Sequence, residues 1–534
     1  MDFSDFTDFV IAHYLLLITH YSLLITHYLI MIIDDQNYDV IIIGTGAGGG
    51  TLAYKLAATG KKILVLEQGD FLEKESSELA GVEVFKKEDF HAPEQWYDSD
   101  SEPFNPQTSY SVGGNTKIYS GVLQRMRERD FEKVQHQDGI SPEWEVKYKD
   151  FEPYYTEAEK LYQVHGKTGD DLTEPSRSED FSFPVVDSEP QVEEICNRIA
   201  QQGLHPAYLP IGVGNQGRTD AEDTGISPTI QSHDNVTLKT KAKVVALHTN
   251  PSGTEVKAVE AKIGVKQGST EGNRLYLFMG NIIVLSCGAI NSAALLLRSA
   301  NEKHPKGLAN SSDLVGRNLM KQLMTVLVQI TNKTNSGLFQ RTRYINDFYW
   351  GDENFSYPMG HIQNSGGILQ DVIFSESPPL LSVAAKLMPG FGLKQLAKRS
   401  IGWWLQTEDL PVPKNRIRIQ GSKLYVDYTA NNTEAHDRLI YRWIDVLNSI
   451  DGNKQGIYPR GETPIQVVAH QSGTCRFGED AKTSVLNLNC QTHDIDNLYV
   501  VDSSFFPSIS ATSPGLTVIA NALRVGEHLI GRLG

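Results

Sequence analysis

This sequence is poor in cysteine: four in 534 residues, Cys196, Cys287, Cys475 and Cys490. They form no C-x-x-C pair and no metal-ligand spacing, which sets aside a redox dithiol, a zinc centre and a disulfide-stapled secreted scaffold. Positive charge is also short. With 49 Lys and Arg against 65 Asp and Glu, the formal net charge is −16 and the pI is near 5.4. No basic cluster offers a surface for phosphate backbones, so nucleic acid is excluded as a partner. What remains is the average composition of a soluble α/β enzyme, for which a reducing cytoplasm is the simplest home. The length exceeds the roughly 250–300 residues at which one core stops growing, so two domains sharing an interface are expected.

One long apolar run departs from this picture. Val10 to Ile33 spans 24 nearly uncharged residues, enough to cross a bilayer as a helix. Its flank is acidic (Asp2, Asp5, Asp8), and a basic start and a small-residue cleavage site are both missing, which argues against a span or a signal peptide. The segment repeats at period seven, from His13-Tyr14 to His20-Tyr21 to His27-Tyr28. The favoured expectation is that translation begins at Met31; a membrane anchor and an apolar tail are the alternatives.

From Tyr38 onward the pattern is that of an α/β chain. Tyr38 to Ile43 is a β-branched run of the kind found in buried parallel strands. Gly44-Thr45-Gly46-Ala47-Gly48-Gly49 follows at once, Thr51 to Ala58 reads as a helix, and Lys62 to Leu66 as a second strand that ends at Glu67. In this βαβ unit Gly44, Gly46 and Gly49 serve the tight turn, the approach of a pyrophosphate and close helix packing, with the helix N-terminus aimed at the phosphates. Glu67, 23 residues after Gly44, stands where a carboxylate accepts from an adenosine ribose. The unit therefore predicts dinucleotide binding. No second fingerprint occurs, which argues against an NAD(P)H donor.

Further strands are expected at 235–238, 242–248 and 255–263, with the look of a small meander. Asn281 to Ser286 reads as another buried strand and Ala293 to Arg298 as a helix. The stretches 131–234 and 321–460 are richer in turns, charge and aromatic residues. They read as a second domain inserted between 34–130, 235–320 and 461–534 of the first.

The C-terminal block carries the candidate chemistry: His470-Gln471-Ser472-Gly473-Thr474-Cys475, then Asp502-Ser503 after the strand Leu498 to Val501, then Ser513-Pro514-Gly515-Leu516-Thr517. Histidine titrates near neutrality and suits a general base, yet most of the 15 histidines here have no such role. Asp502 at a strand's C-terminal end can accept from a ligand or cap the next helix.

Taken in order, the fingerprint ending in Glu67, the loop Gly113 to Gly121, the strand and helix Ser286 to Leu296 and the C-terminal block resemble the glucose-methanol-choline (GMC) oxidoreductases. That resemblance implies a Rossmann-like FAD-binding domain (34–130, 235–320, 461–534) with an interleaved substrate domain on an antiparallel sheet (131–234, 321–460), an α/β plus α+β fold. It places FAD on Gly44, Gly46, Gly49, Glu67, Gly113, Gly114, Asn115, Thr116, Val244, Asp502 and Ser503. It gives His470 the role of proton acceptor in the oxidation of an alcohol by flavin, with a small-molecule alcohol as substrate and the electron acceptor left open. Ile118 stands where some members attach FAD through histidine and has no nucleophilic atom, so noncovalent FAD is expected. Tyr119 replaces a common Asn, and Ser513 the usual His or Asn. Serine can orient a hydroxyl but cannot act as a base near neutral pH, which leaves a catalytically impaired flavin-binding protein as the rival reading. His361 is expected to be structural, Trp403 and Trp404 to be core or pocket wall, and Cys475 to be a small apolar packing residue.

Overall fold

The computed structural model describes residues 31–72, 92–215, 217–264, 274–331, 333–334, 341–367, 398–450, 460–462 and 465–534, with backbone alone at 366–367 and 460–462. The N-terminal repeat lies outside the described residues. Among those described, no helix is long and apolar enough to cross a membrane.

The β-branched run does become a strand, but a longer one, Met31–Ile43. Met31, Ile32 and Ile33 extend it by pairing with Leu275, Tyr276 and Leu277, with an irregularity before Asn37. Val40 to Ile43 are almost solvent-free because this strand has parallel neighbours on both sides, Ile63–Leu66 and Arg274–Leu285. Val236–Lys239 adds to the first of these in parallel and Leu498–Val500 to the second. The expected meander is thereby corrected. Val236–Lys239 belongs to the parallel layer, and the antiparallel part is Ala242–Thr249, Val256–Ile263 and the first half of Arg274–Leu285. Alternation along a strand does not reveal its partner, so the sequence left this open.

Helix Ala47–Ala57 starts four residues before the predicted Thr51. Its Gly48-Gly49-Gly50 run has low helix propensity, and packing overrides that. A Cβ at Gly48 would lie 1.8 Å from the Val501 carbonyl oxygen, and one at Gly49 would lie 2.0 Å from that of Gly44. The helix thus presses directly on the turn and on the strand that leads to Asp502. Gly48→Ala should cost about 3 kcal/mol or more, because backbone on both sides of the contact has to move. A fall in the thermal midpoint is the readout, and an unchanged midpoint would show that the contact is soft.

The C-terminal helix Gly515–Leu533 lies in the same core as this helix, with Ile519 and Leu523 alongside Leu52 and Leu56. Tyr148–Leu161 joins them, the hydroxyls of Tyr155 and Thr517 meeting at 2.8 Å.

A second sheet is antiparallel throughout, in the order Arg460–Glu462, Leu323–Ile330, Ser400–Thr407, His361–Gly367, Arg343–Ile345, Ala207–Tyr208. Its period of two sends Leu327, Ile401, Trp403, Leu405 and Ile362 into a core with the helices Thr433–Ile450 and Pro190–Ala200. The registers His361↔Gln406 and Gln363↔Trp404 put those four residues on the opposite face. The chain is thus a mixed α/β protein with several sheets.

Candidate functional site

The glycine turn is built by one conformational demand and several steric ones. Gly44 sits at φ +100°, where a side chain is strained, and a Cβ there would also strike the Ser286 carbonyl. Gly46 is different. Its backbone is extended, with φ −67° and ψ −165°, and a Cβ would meet no protein atom closer than the Gly113 carbonyl oxygen at 3.9 Å. Neither conformation nor protein packing requires glycine at 46. The open space in front of it, at the N-terminus of a helix, fits a pyrophosphate that needs close access to backbone N–H groups.

Two loops meet here through Thr45, a residue the fingerprint leaves unspecified. Its hydroxyl donates to Glu67 Oε2 at 2.7 Å and accepts from the Gly113 N–H at 3.0 Å. Glu67 also accepts from the Thr45 N–H at 3.1 Å and, through Oε1, from the Gly69 N–H at 2.9 Å. The Gln68 N–H also favours the charged carboxylate, and Oε1, with one close donor against two on Oε2, is the oxygen more open to a further one. Burial pushes this carboxyl up while those donors pull it back.

In the second loop, Gly113 and Gly114 both have positive φ and lead into the short helix Gly114–Lys117. Asn115 Oδ1 accepts from the Thr108 hydroxyl and the Ser109 N–H. The Thr116 hydroxyl donates to the Gly113 carbonyl and accepts from the Ala221 N–H. These side chains hold the loop in shape and leave its backbone to face Gly46. Tyr119 donates to the Thr219 carbonyl at 2.5 Å, and burial drives its phenol well above the ordinary range. Val244 lies in Ala242–Thr249, beside an irregularity in pairing.

Asp502 follows Leu498–Val500 and is buried. Its carboxylate accepts from the Gly288 N–H (3.0 Å) and the Ser292 hydroxyl (2.5 Å). It also accepts from the N–H (2.9 Å) and hydroxyl (2.5 Å) of Ser504, capping the short helix Ser503–Phe505. The capping role is therefore present. Burial raises this carboxyl too, against those four donors. The Ser503 hydroxyl donates to the Gln471 carbonyl at 2.5 Å, which ties Asp502 to the His470 segment.

His470 is partly exposed and stands against the polar face of the second sheet. Its Nδ1 lies 2.7 Å from Gln322 Oε1 and 3.4 Å from Gln406 Nε2. Burial, and then the charge of Arg341, pull its imidazole down to about 4. Arg341 rests over the Trp404 ring, 4.4 Å from its centre. Gln322 reaches the other predicted position as well, since its Nε2 donates to the carbonyls of Ser510 and Thr512, next to the buried Ser513. His470 and the Ser513 turn thus come together through a residue that sequence reasoning missed. Both Gln322 (φ +62°) and Ser510 (φ +60°) have left-handed backbones, a strain of about 1–3 kcal/mol each that the surrounding contacts must hold.

Other expectations divide. Trp403 is core, edge-on to Trp443 at 4.8 Å, whereas Trp404 faces the His470 side. His361 is fully buried, Nδ1 lying 2.8 Å from Asn346 Oδ1, and burial pulls it down to about 3. It is a structural histidine. Cys475 is buried in the main core with no disulfide partner.

A family model described as GMC oxidoreductase matches residues 38–324 with its N-terminal part and 451–522 with its C-terminal part. A 2-methyl-1,2-propanediol dehydrogenase of Mycolicibacterium austroafricanum is 26% identical, covering 92% of this chain and 95% of its own. A paromamine 6'-oxidase of Streptomyces fradiae is also 26% identical, covering 94% and 92%. Among solved structures, pyridoxine 4-oxidase from Mesorbium loti superposes with a TM-score of 0.63 at 17% identity, covering 92% of this chain and 99% of its own. That likeness bears on the fold alone.

Proposed function

The chain belongs to the glucose-methanol-choline oxidoreductases, flavoproteins that bind FAD, and from that premise we propose that it oxidises the CH–OH group of a small-molecule alcohol. FAD, when bound, supplies the hydride acceptor. The chain supplies the rest. The reaction removes a hydride from carbon and a proton from oxygen, leaving a carbonyl, so a base must stand at the hydroxyl. His470 Nε2 takes that proton, and Ser513 helps to orient the hydroxyl. The observation that carries the reading is the placement of His470 beside Gln406 on the polar face of the second sheet and its link through Gln322 to the turn before Ser513; burial, which pulls its imidazole down to about 4, favours the neutral form a base needs.

In the same reading the 34–130, 235–320 and 461–534 segments form a Rossmann-like FAD unit, and 131–234 with 321–460 supply the substrate side. The space before Gly46 and the amides that follow take the pyrophosphate. Glu67 Oε1 takes a ribose hydroxyl, and the 113–116 backbone, Val244 and the Asp502-Ser503 turn complete the cradle. Ile118 has no atom that could bond to flavin, so FAD is held noncovalently.

The test is anaerobic mixing of the yellow protein with an alcohol panel drawn from diols, sugars, amino sugars, sterols and aromatic alcohols. The flavin band should bleach with at least one of them. Because a base must be neutral to accept a proton, and this imidazole protonates only near pH 4, the bleaching rate should be flat from about pH 5 upward and fall below it. A bound flavin that no alcohol bleaches would leave the impaired flavin-binding protein as the surviving reading.

A further inference from the structure

A histidine can accept an alcohol proton only through a nitrogen that carries none, and Gln322 decides which nitrogen of His470 that is. This step rests on the proposed role of His470 as base. The Gln322 amide has one orientation that its surroundings allow. Nε2 donates to the carbonyl oxygens of Ser510 and Thr512, both at 2.8 Å, and turning the amide over would set its oxygen against two acceptors. Oε1 therefore faces His470 Nδ1 at 2.7 Å. An amide oxygen can only accept, so Nδ1 carries the hydrogen. We infer that Gln322 is a positioning residue that locks His470 as the Nδ1–H tautomer and so keeps Nε2 bare for the substrate proton.

The neighbours agree with this assignment. Gln406 Nε2, at 3.4 Å from Nδ1, cannot donate to a protonated nitrogen, and it also approaches Gln322 Oε1 at 3.4 Å and Met324 Sδ at 3.8 Å. Gln322 is itself fixed from both ends. Its strained backbone N–H donates to the buried Asp409 at 3.0 Å, which also accepts from the Lys321 N–H and the Tyr428 hydroxyl. On the far side, the Ala511 N–H donates to the Tyr349 hydroxyl at 3.2 Å, and that hydroxyl donates to Asp130. The two carbonyls that hold the amide therefore belong to a braced loop. A free imidazole in water prefers the hydrogen on Nε2, the opposite of what the proposed chemistry needs, so the lock has a task beyond holding the ring still.

The experiment is nitrogen NMR on the FAD-loaded protein labelled at histidine, with the His470 signal assigned by its loss in His470→Ala. Wild type should show Nδ1 protonated and Nε2 bare; the reverse pattern overturns the inference whatever any variant does. Gln322→Leu should move the population toward Nε2–H and slow flavin reduction at saturating alcohol by at least about tenfold with KM little changed, as expected when a base is held in the wrong tautomer. An unchanged tautomer in that variant also overturns it. If the leucine variant fails to fold, the wild-type spectrum alone decides, since an Nδ1 that carries no hydrogen there overturns the inference. Adding Gln322→Leu to His470→Ala should slow the reaction no further, since a residue that acts through His470 has nothing left to act on. If His470→Ala itself reduces flavin at the wild-type rate, the base assignment fails, and the tautomer measured in wild type stands apart from that failure.

Discussion

His470→Ala should slow the reduction of bound flavin by alcohol about 10²- to 10⁴-fold, the range a positioned general base supplies, while the protein stays yellow and folded. Retention of flavin follows from where the residue sits. His470 contacts Gln406 on the second sheet and Gln322 just before that sheet's strand Leu323–Ile330, whereas the proposed cofactor cradle is built from Gly46, Glu67, Gly113 and the Asp502 turn. The loss should be large because Ser513, His361 and Arg341 offer no substitute. Ser513 cannot be a base near neutral pH, His361 is sealed in the interior, and Arg341 is cationic at neutral pH although burial pulls it down to about 9. The measurement is a single-turnover bleaching rate at saturating alcohol, which separates the chemical step from flavin reoxidation. A rate within about threefold of wild type would falsify the assignment of the base.

Gly46→Ala should empty the protein of flavin while leaving its fold intact, with the dissociation constant for FAD rising at least about 100-fold, equivalent to about 2.7 kcal/mol. The added methyl meets no protein atom within 3.9 Å and adopts a backbone conformation open to any residue, so the polypeptide has no reason to resist it. It does fill the space through which a pyrophosphate would reach the helix N-terminus. Flavin released by acid, measured against protein and set beside the thermal midpoint of the flavin-free form, distinguishes the two effects. Gly48→Ala is the contrast, since its methyl collides with backbone 1.8 Å away and damages the fold first. If Gly46→Ala binds flavin stoichiometrically with unchanged affinity, the pyrophosphate does not pass there.

These two positions differ in how far they could be read from the sequence. Gly46 was legible because everything that defines it lies within one βαβ unit, where strand, turn and helix follow each other without a break. Thr45 lies in the same motif yet stayed invisible, because its work is to receive Gly113 N–H and hold Glu67, contacts that span 68 and 22 residues. The same limit explains Trp403 and Trp404. Adjacent strand residues face opposite ways, and only pairing with Leu327 and Gln363 reveals which one enters the core. Local pattern locates the strand Val236–Lys239 along the chain but not its sheet neighbour, because its partner Ile63–Leu66 lies far upstream.

By itself the sequence determined the dinucleotide turn, the run of strands around it and the identity of His470 as the residue to watch. Each of these rests on local spacing or on ordered motifs, which survive in one dimension. Only the tertiary structure decided what His470 can do, because the group that assigns its proton is Gln322, 148 residues away. Gln322 is held there in turn by carbonyls 188 and 190 residues further along the chain. A hydrogen bond acts over about 3 Å, and nothing in the order of residues along a chain states which of them will come that close.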